Sequence, residues 1–278
     1  MFRFFKALGL SALSLSLTLL PAQATELSDF DGLSGTLNIA GGTAHIPVMK
    51  SAARTIMSRN SDIRITIAGG GSGVGAQQVG KGLVDIGNTG RALKASEQQM
   101  GLISYPFAID GVAVIVHPDN PVSDLSFEQV ADIYAGKIRN WKLVGGEDRP
   151  INLFTRDEAS GTRSVFVKKL LHKGPVATTA NVVPSNGGMK AAISRDPGAI
   201  GYSSVGYIDA MVKAPRLAGV APSNQACASG EYPVVRKLIM NTKGEATGLT
   251  KTFIGYLYSD EGSKFIQQAG YIPLPAHP

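Results

Sequence analysis

One cysteine, one tryptophan and four histidines in 278 residues leave little material for several kinds of chemistry. Cys227 alone cannot close an internal disulfide, so stability has to come from an ordinary core. His45, His117, His172 and His277 are scattered, with no metal-ligand spacing and no cysteine partners, which argues against a zinc site or any other metal site. No Gly-x-Ser-x-Gly elbow occurs, and nothing beside Ser160 in the sequence offers a histidine base. An acyl- or phosphoryl-transfer enzyme therefore has no support, and the expectation is a protein that is not an enzyme and carries no cofactor. Charge is sparse too: 17% of residues are charged, and the formal balance of +6 is too small and too dispersed to argue for nucleic acid.

Long apolar runs are missing except at the start. Residues 7–20 are continuously apolar or small, behind the basic pair Arg3 and Lys6 and ahead of Pro21-Ala22-Gln23-Ala24. That is the pattern of a secretory signal peptide, residues 1–24, cut after Ala24. Its removal takes two positive charges and leaves +4. No cysteine sits at the junction to take a lipid, and no later stretch is long enough to span a membrane.

What the chain does have is a repeated grammar of short strand, small-residue turn and helix, which makes the class α/β. Residues 36–40 form a strand leading to Gly41-Gly42-Thr43-Ala44, with a helical pattern over 45–57. Residues 63–68 alternate as a strand, 69–75 read as a glycine-rich loop, and a short helix begins at Ala76. Residues 151–155 form a third strand, followed by Arg156-Asp157-Glu158-Ala159-Ser160-Gly161-Thr162 and a helical run over 164–171. Each turn would present unpaired helix-start N–H groups and the positive end of a helix dipole, which suits an anion. Arg156 adds a planar fork of donors, Ser160 and Thr162 add hydroxyls, and Glu158 could hold the Arg156 side chain. No Gly-Lys-Ser/Thr follows the glycine-rich loop, so it is not a nucleotide P-loop. Trp141 is expected to pack against an amphipathic helix over 125–134, capped by Ser126. Two longer strands, 112–116 and 232–240, would carry the chain from one lobe to another and back, and a single last helix is expected over 249–269.

In order along the chain, several of these segments resemble the periplasmic phosphate-binding proteins of high-affinity phosphate ABC transporters. The most specific is Arg156, three residues, then Ser160-Gly161-Thr162. Ile133-Tyr134-Ala135-Gly136-Lys137-Ile138-Arg139-Asn140-Trp141, Gly71-Ser72-Gly73, Asp85-Ile86-Gly87, Gly198-Ala199-Ile200-Gly201-Tyr202 and Gly270-Tyr271-Ile272-Pro273-Leu274-Pro275 agree as well. The resemblance spans residues 37–274. It implies a two-lobed periplasmic-binding-protein fold of type II, each lobe a mixed sheet flanked by helices, joined by a two-strand hinge. Lobe 1 would comprise residues 25–111 and the return segment 233–278, and lobe 2 residues 112–232. It further implies a periplasmic monomer that closes over one inorganic phosphate ion and delivers it to a membrane permease, with no nucleic acid partner.

By position, Thr43 and Ala44, then Ser72, and from the other lobe Arg156, Ser160, Gly161 and Thr162 would bind the ion. The chain departs from the family at Gly90, where many members have an Asp that accepts the proton of monohydrogen phosphate and repels sulfate; shorter relatives often have a small residue there, followed by Arg as in Arg91. Arg91 joins the candidate site on that ground. Asp110 is the candidate replacement acceptor, the alternative being that it caps a turn or pairs with Arg91. Sulfate, arsenate or molybdate are the alternative ligands, and an exported ligand sensor the alternative role.

Overall fold

The computed structural model describes residues 25–276, so the expected signal peptide and His277 lie outside the described residues. Among the described residues, no helix is long and apolar enough to cross a membrane.

The first part of the chain alternates β1 (Gly35–Gly41), α1 (Ile46–Arg59), β2 (Ile63–Gly70), α2 (Gly71–Gly80), β3 (Ile86–Thr89), α3 (Ala95–Gln98) and β4 (Leu102–Val116). The middle part holds β5 (Asp124–Leu125), α4 (Phe127–Tyr134), β6 (Asn152–Arg156), α5 (Gly161–Lys169), β7 (Asn181–Val183), α6 (Asn186–Ile193), β8 (Ala199–Ser204), β9 (Arg216–Leu217) and α7 (Asn224–Ser229). The return comprises β10 (Val235–Lys243), α8 (Gly248–Leu257), α9 (Asp260–Gln268) and β11 (Ile272–Pro273).

One mixed sheet runs in the order β2-β1-β3-β10-β4-β8-β6-β7, with β11 also on β4; β5 and β9 form a separate pair. β4 is the strand both halves share. From Leu102 to Gly111 it pairs antiparallel with β10, and from Val112 to Val116 it pairs antiparallel with β8. Two principal cores lie either side of that change of partner. One gathers Leu37, Ile39, Ile56, Phe107, Met240 and Phe253, and the other Val114, Ile133, Trp141, Phe166, Tyr202 and Tyr232. A polar seam between two such cores is what makes a two-lobed molecule.

Local chemistry explains where the elements begin and end. α4 starts at the Ser126 cap that its sequence predicts, and Gln129 completes it as a reciprocal capping box. Trp141 is buried in the second core and donates its indole N–H to the Gly198 carbonyl at 2.9 Å.

Three expectations need correction. The segment 69–75 is not a loop, because α2 begins at Gly71. The chain reaches that helix through Gly70 and Gly71 at φ 114° and 87°, a region in which glycine is nearly free of strain. The long strand starts at Leu102 and not at 112; Pro106 is admitted because the β4–β10 register shifts there, between Leu238 and Ile239, where a missing N–H is tolerated. The single last helix is two, since Ser259 accepts from Gly262 N and donates to the Tyr256 carbonyl, ending α8 and capping α9.

A candidate anion site between the lobes

Three strand ends deliver helix starts to one place. β1 leads through a 3-10 turn, Thr43–His45, into α1; β2 leads directly into α2; β6 leads through Asp157–Ser160 into α5. They bound a small cavity lined by residues 42–45, Gly71, Ser72, Gly90, Arg156, residues 160–162 and Arg236. The cavity is small, which suits a compact guest and not an extended one. Thr43, Ala44, Ser72, Arg156, Ser160, Gly161 and Thr162 are all brought to this cavity. Arg91 and Asp110 are not.

The lobes meet across the cavity. Gly73 N donates to the Ala159 carbonyl at 2.9 Å, and Asn186 donates its N–H and its side-chain amide to Thr43 Oγ1 at 3.2 and 3.1 Å. Tyr207 donates to the Thr43 carbonyl at 2.7 Å; burial pushes its phenol up to about 12, so it stays a donor. Packing is close enough that a Cβ on Gly161 would lie 2.1 Å from Ser72 Oγ. Gly161→Val should therefore hold the lobes apart and cost at least about tenfold in anion affinity, about 1.4 kcal/mol, by calorimetry. Unchanged affinity would mean that this apposition is not the bound state.

Arg156 has little protein company for its charge. It is 2% exposed; its Nη2 donates to the Pro184 carbonyl at 2.9 Å, while Nε and Nη1 are buried with no partner among the described residues. Burial lowers the guanidinium's pKa, yet an arginine in a protein keeps its proton. Its position is fixed from behind. Tyr202 stacks on Phe166 at 3.9 Å between ring centres, and its hydroxyl accepts from Arg156 N at 3.0 Å, tying the end of β6 to β8. Glu158 does not hold Arg156: it pairs instead with Arg163 in the first turn of α5, at 2.7 Å, as its exposed position allows.

Three of the four lining hydroxyls are turned the same way, while that of Thr162 donates to Asn186 Oδ1 at 3.5 Å. Ser72 Oγ accepts from Gly90 N at 2.9 Å, Ser160 Oγ accepts from Arg163 N at 3.1 Å, and Thr43 Oγ1 accepts the two bonds from Asn186. With lone pairs engaged by N–H groups, their hydrogens are left to point at a guest.

Two expected residues sit elsewhere for clear reasons. Arg91 makes a two-pronged buried bridge to Glu97, Nη1 to Oε2 at 2.7 Å and Nη2 to Oε1 at 2.8 Å. Its fork is used up there. Asp110 does not line the cavity and does not pair with Arg91: its Oδ2 accepts from Arg236 Nε at 2.8 Å, and its Oδ1 accepts from Ser204 Oγ at 2.7 Å, with the Val205 N–H at the start of the turn 205–207 beside it. Burial pushes its carboxyl up while Arg236 and Ser204 pull it down.

Arg236 and His45 also line the cavity. Arg236 lies in a strand read only as a connection, and nothing local to it marks a ligand residue. His45 is fully buried; its Nε2 accepts from Ile239 N at 3.2 Å, which leaves the proton on Nδ1. Burial, with Arg236 nearby, lowers its pKa from 6.5 to about 3. The unfolded chain therefore binds the extra proton first. Stability from this group is complete above pH 6.5 and should fall between there and pH 3 by about 1.4 kcal/mol per unit. Denaturant unfolding of wild type and His45→Gln between pH 7 and 4.5 checks this: the variant should lose stability less steeply, and equal slopes would refute it.

Comparison with known proteins places this architecture. A profile of the PBP superfamily domain matches residues 31–261. The phosphate-binding protein PstS of Bacillus subtilis is 40% identical over 245 residues, covering 87% of this chain and 81% of the relative. A Clostridium perfringens structure with bound phosphate, assigned to phosphate ABC transporter substrate-binding proteins, superimposes with a TM-score of 0.82 at 33% identity, covering 86% of this chain and all of that one. An ABC-type phosphate transport receptor from Vibrio cholerae gives 0.69 at 35% identity, again over 86% of this chain and all of that one. The chain is thus a two-lobed binding protein of the PBP superfamily, the class its fold and cleft define. Within that class it belongs to the PstS family of phosphate-binding proteins.

Proposed function

We propose that this protein binds one inorganic phosphate ion in the cleft and hands it to the permease of a phosphate ABC transporter. The observation that carries the reading is Arg156, a buried cation whose Nε and Nη1 lack partners among the described residues, beside a cavity bordered by helix starts from both lobes. Leaving such donors unsatisfied is costly, whereas each charge-assisted bond to an anion contributes about 1.5–3 kcal/mol, enough in sum to offset the ion's desolvation. Thr43, Ala44, Ser72, Ser160, Gly161 and Thr162 complete the set. The site binds without transforming its guest. Export by the N-terminal segment, a periplasmic location and a monomeric state belong to the same reading.

Residues 25–111 with 233–278 form one moving body and residues 112–232 the other, hinged where β4 exchanges β10 for β8. Calorimetry on ligand-stripped protein with phosphate, sulfate, arsenate and molybdate tests the reading; no heat with phosphate would end it. Small-angle scattering should show a smaller radius of gyration on adding phosphate. Identical profiles would argue against the hinge.

A further inference from the structure

The walls of the cavity continue outward into a groove. Arg91 follows Gly90 in the first lobe, Ser164 and Val165 come just after Thr162 in the second, and Arg236 of β10 lines cavity and groove alike. The groove measures about 410 Å³, and both lobes and the strand between them contribute to it. Its aliphatic lining comes from Leu93, Val165, Val235 and Ile239.

Every charged side chain around that lining is a cation, with no carboxylate among them. Two are answered from behind: Arg91 is bridged to Glu97, and Arg236 lies on Asp110. Lys169 turns its ammonium to the Pro233 carbonyl at 3.3 Å. Lys94, Lys168 and Lys237 are exposed and have no ion pair among the described residues; the lysines that do are Lys137, Lys142 and Lys190, none of them here. The three stand on separate elements: the approach to α3, α5 and β10.

Long, solvated side chains set at separate stations make a field and not a second binding pocket. A cleft lined by one sign of charge, with low-dielectric walls, focuses field lines; it concentrates counter-ions and raises association rates by about 10–1,000-fold. The three lysines line the groove and not the cavity, so they act on an ion before it is bound. Resting on the phosphate reading above, we propose that this groove is the path by which phosphate reaches the cleft, with Lys94, Lys168 and Lys237 as capture residues that speed association without holding the bound ion. The chain's mild positive excess then matters by where it lies and not by its size.

The test uses the full mature protein, stripped of bound ions, and a variant combining Lys94→Gln, Lys168→Gln and Lys237→Gln. Calorimetry with sodium phosphate gives Kd, chase of radiolabelled phosphate gives koff, and the two together give kon. At about 20 mM ionic strength the variant should associate at least about fivefold more slowly than wild type, with koff within about twofold. At about 500 mM, where the screening length falls below about 5 Å, the two association rates should converge. Lys50, Lys81 and Lys251 are exposed and line neither groove nor cavity, so changing those three to Gln removes the same charge elsewhere. That control should keep kon within about twofold of wild type. Wild-type kon in the groove variant at low salt would overturn the proposal and leave the phosphate reading standing. An equal loss of kon in the control would overturn it too, by assigning the effect to net charge. Failure of wild type to bind phosphate would remove both.

Discussion

Arg156→Ala should weaken phosphate binding by about 2–5 kcal/mol, the range for truncating one member of a buried charged contact. Two buried donors, Nε and Nη1, face no acceptor among the described residues, so their stabilising value lies with the guest. Removing the side chain also removes a buried cation that the empty protein must tolerate. The ligand-free variant should then unfold at the same denaturant concentration as wild type, or a slightly higher one, while its affinity falls. That opposed pair of effects separates a binding residue from a structural one. Loss of stability with affinity intact would assign Arg156 to the scaffold. The Pro184 carbonyl bond alone could not account for a large loss, since a single hydrogen bond to a charged group contributes about 1.5–3 kcal/mol.

How much of this was legible in the sequence follows from the range of the interactions. Strand, small-residue turn and helix start are local patterns, and the Arg156–Thr162 segment carries its fork, its cap and its glycine within a few residues. Such segments find their place from sequence because local chemistry fixes them. Ser160 is both the N-cap of α5 and a wall of the cavity, so one local rule yields both facts. Arg236 was not legible on those terms. Its role depends on lying directly opposite Asp110 across the β4–β10 ladder and on Gly90 leaving room, contacts between residues 126 and 146 positions apart. The same pairing keeps Asp110 off the cavity wall, although its position at the lobe crossing suggests an acceptor there. A lone acid beside a lobe crossing gives no sign of the cation that will claim it. Glycine misled in the other direction: a run of glycines argues for a loop, yet α2 tolerates them because Gly75 packs against β1 and β3, where a Cβ would lie 2.5 Å from the Asn88 carbonyl. Tertiary packing outweighed helix propensity there.

The contact that sequence hid should also be the costliest to break. Asp110→Ala is expected to destabilise the protein by about 3–5 kcal/mol, the usual result of stranding one partner of a buried ion pair. Both side chains are almost wholly buried, Arg236 at 3% and Asp110 at 0% exposure. The remaining guanidinium would keep its charge and would have only the cavity to turn to. Ser204 would lose an acceptor as well, at the point where β8 joins β4 and the second lobe begins. The damage should therefore appear as a loss of cooperativity between lobes as well as a lower midpoint. Urea unfolding in phosphate-free buffer, followed by Trp141 fluorescence for the second lobe and far-ultraviolet dichroism for the whole chain, would read both. In wild type the two transitions should coincide, and in the variant they should separate. Saturating phosphate should restore part of the loss, because an anion beside Arg236 replaces the missing carboxylate. A change below about 1 kcal/mol, with coincident transitions, would mean that water reaches Arg236 and that the pair is a surface contact in disguise.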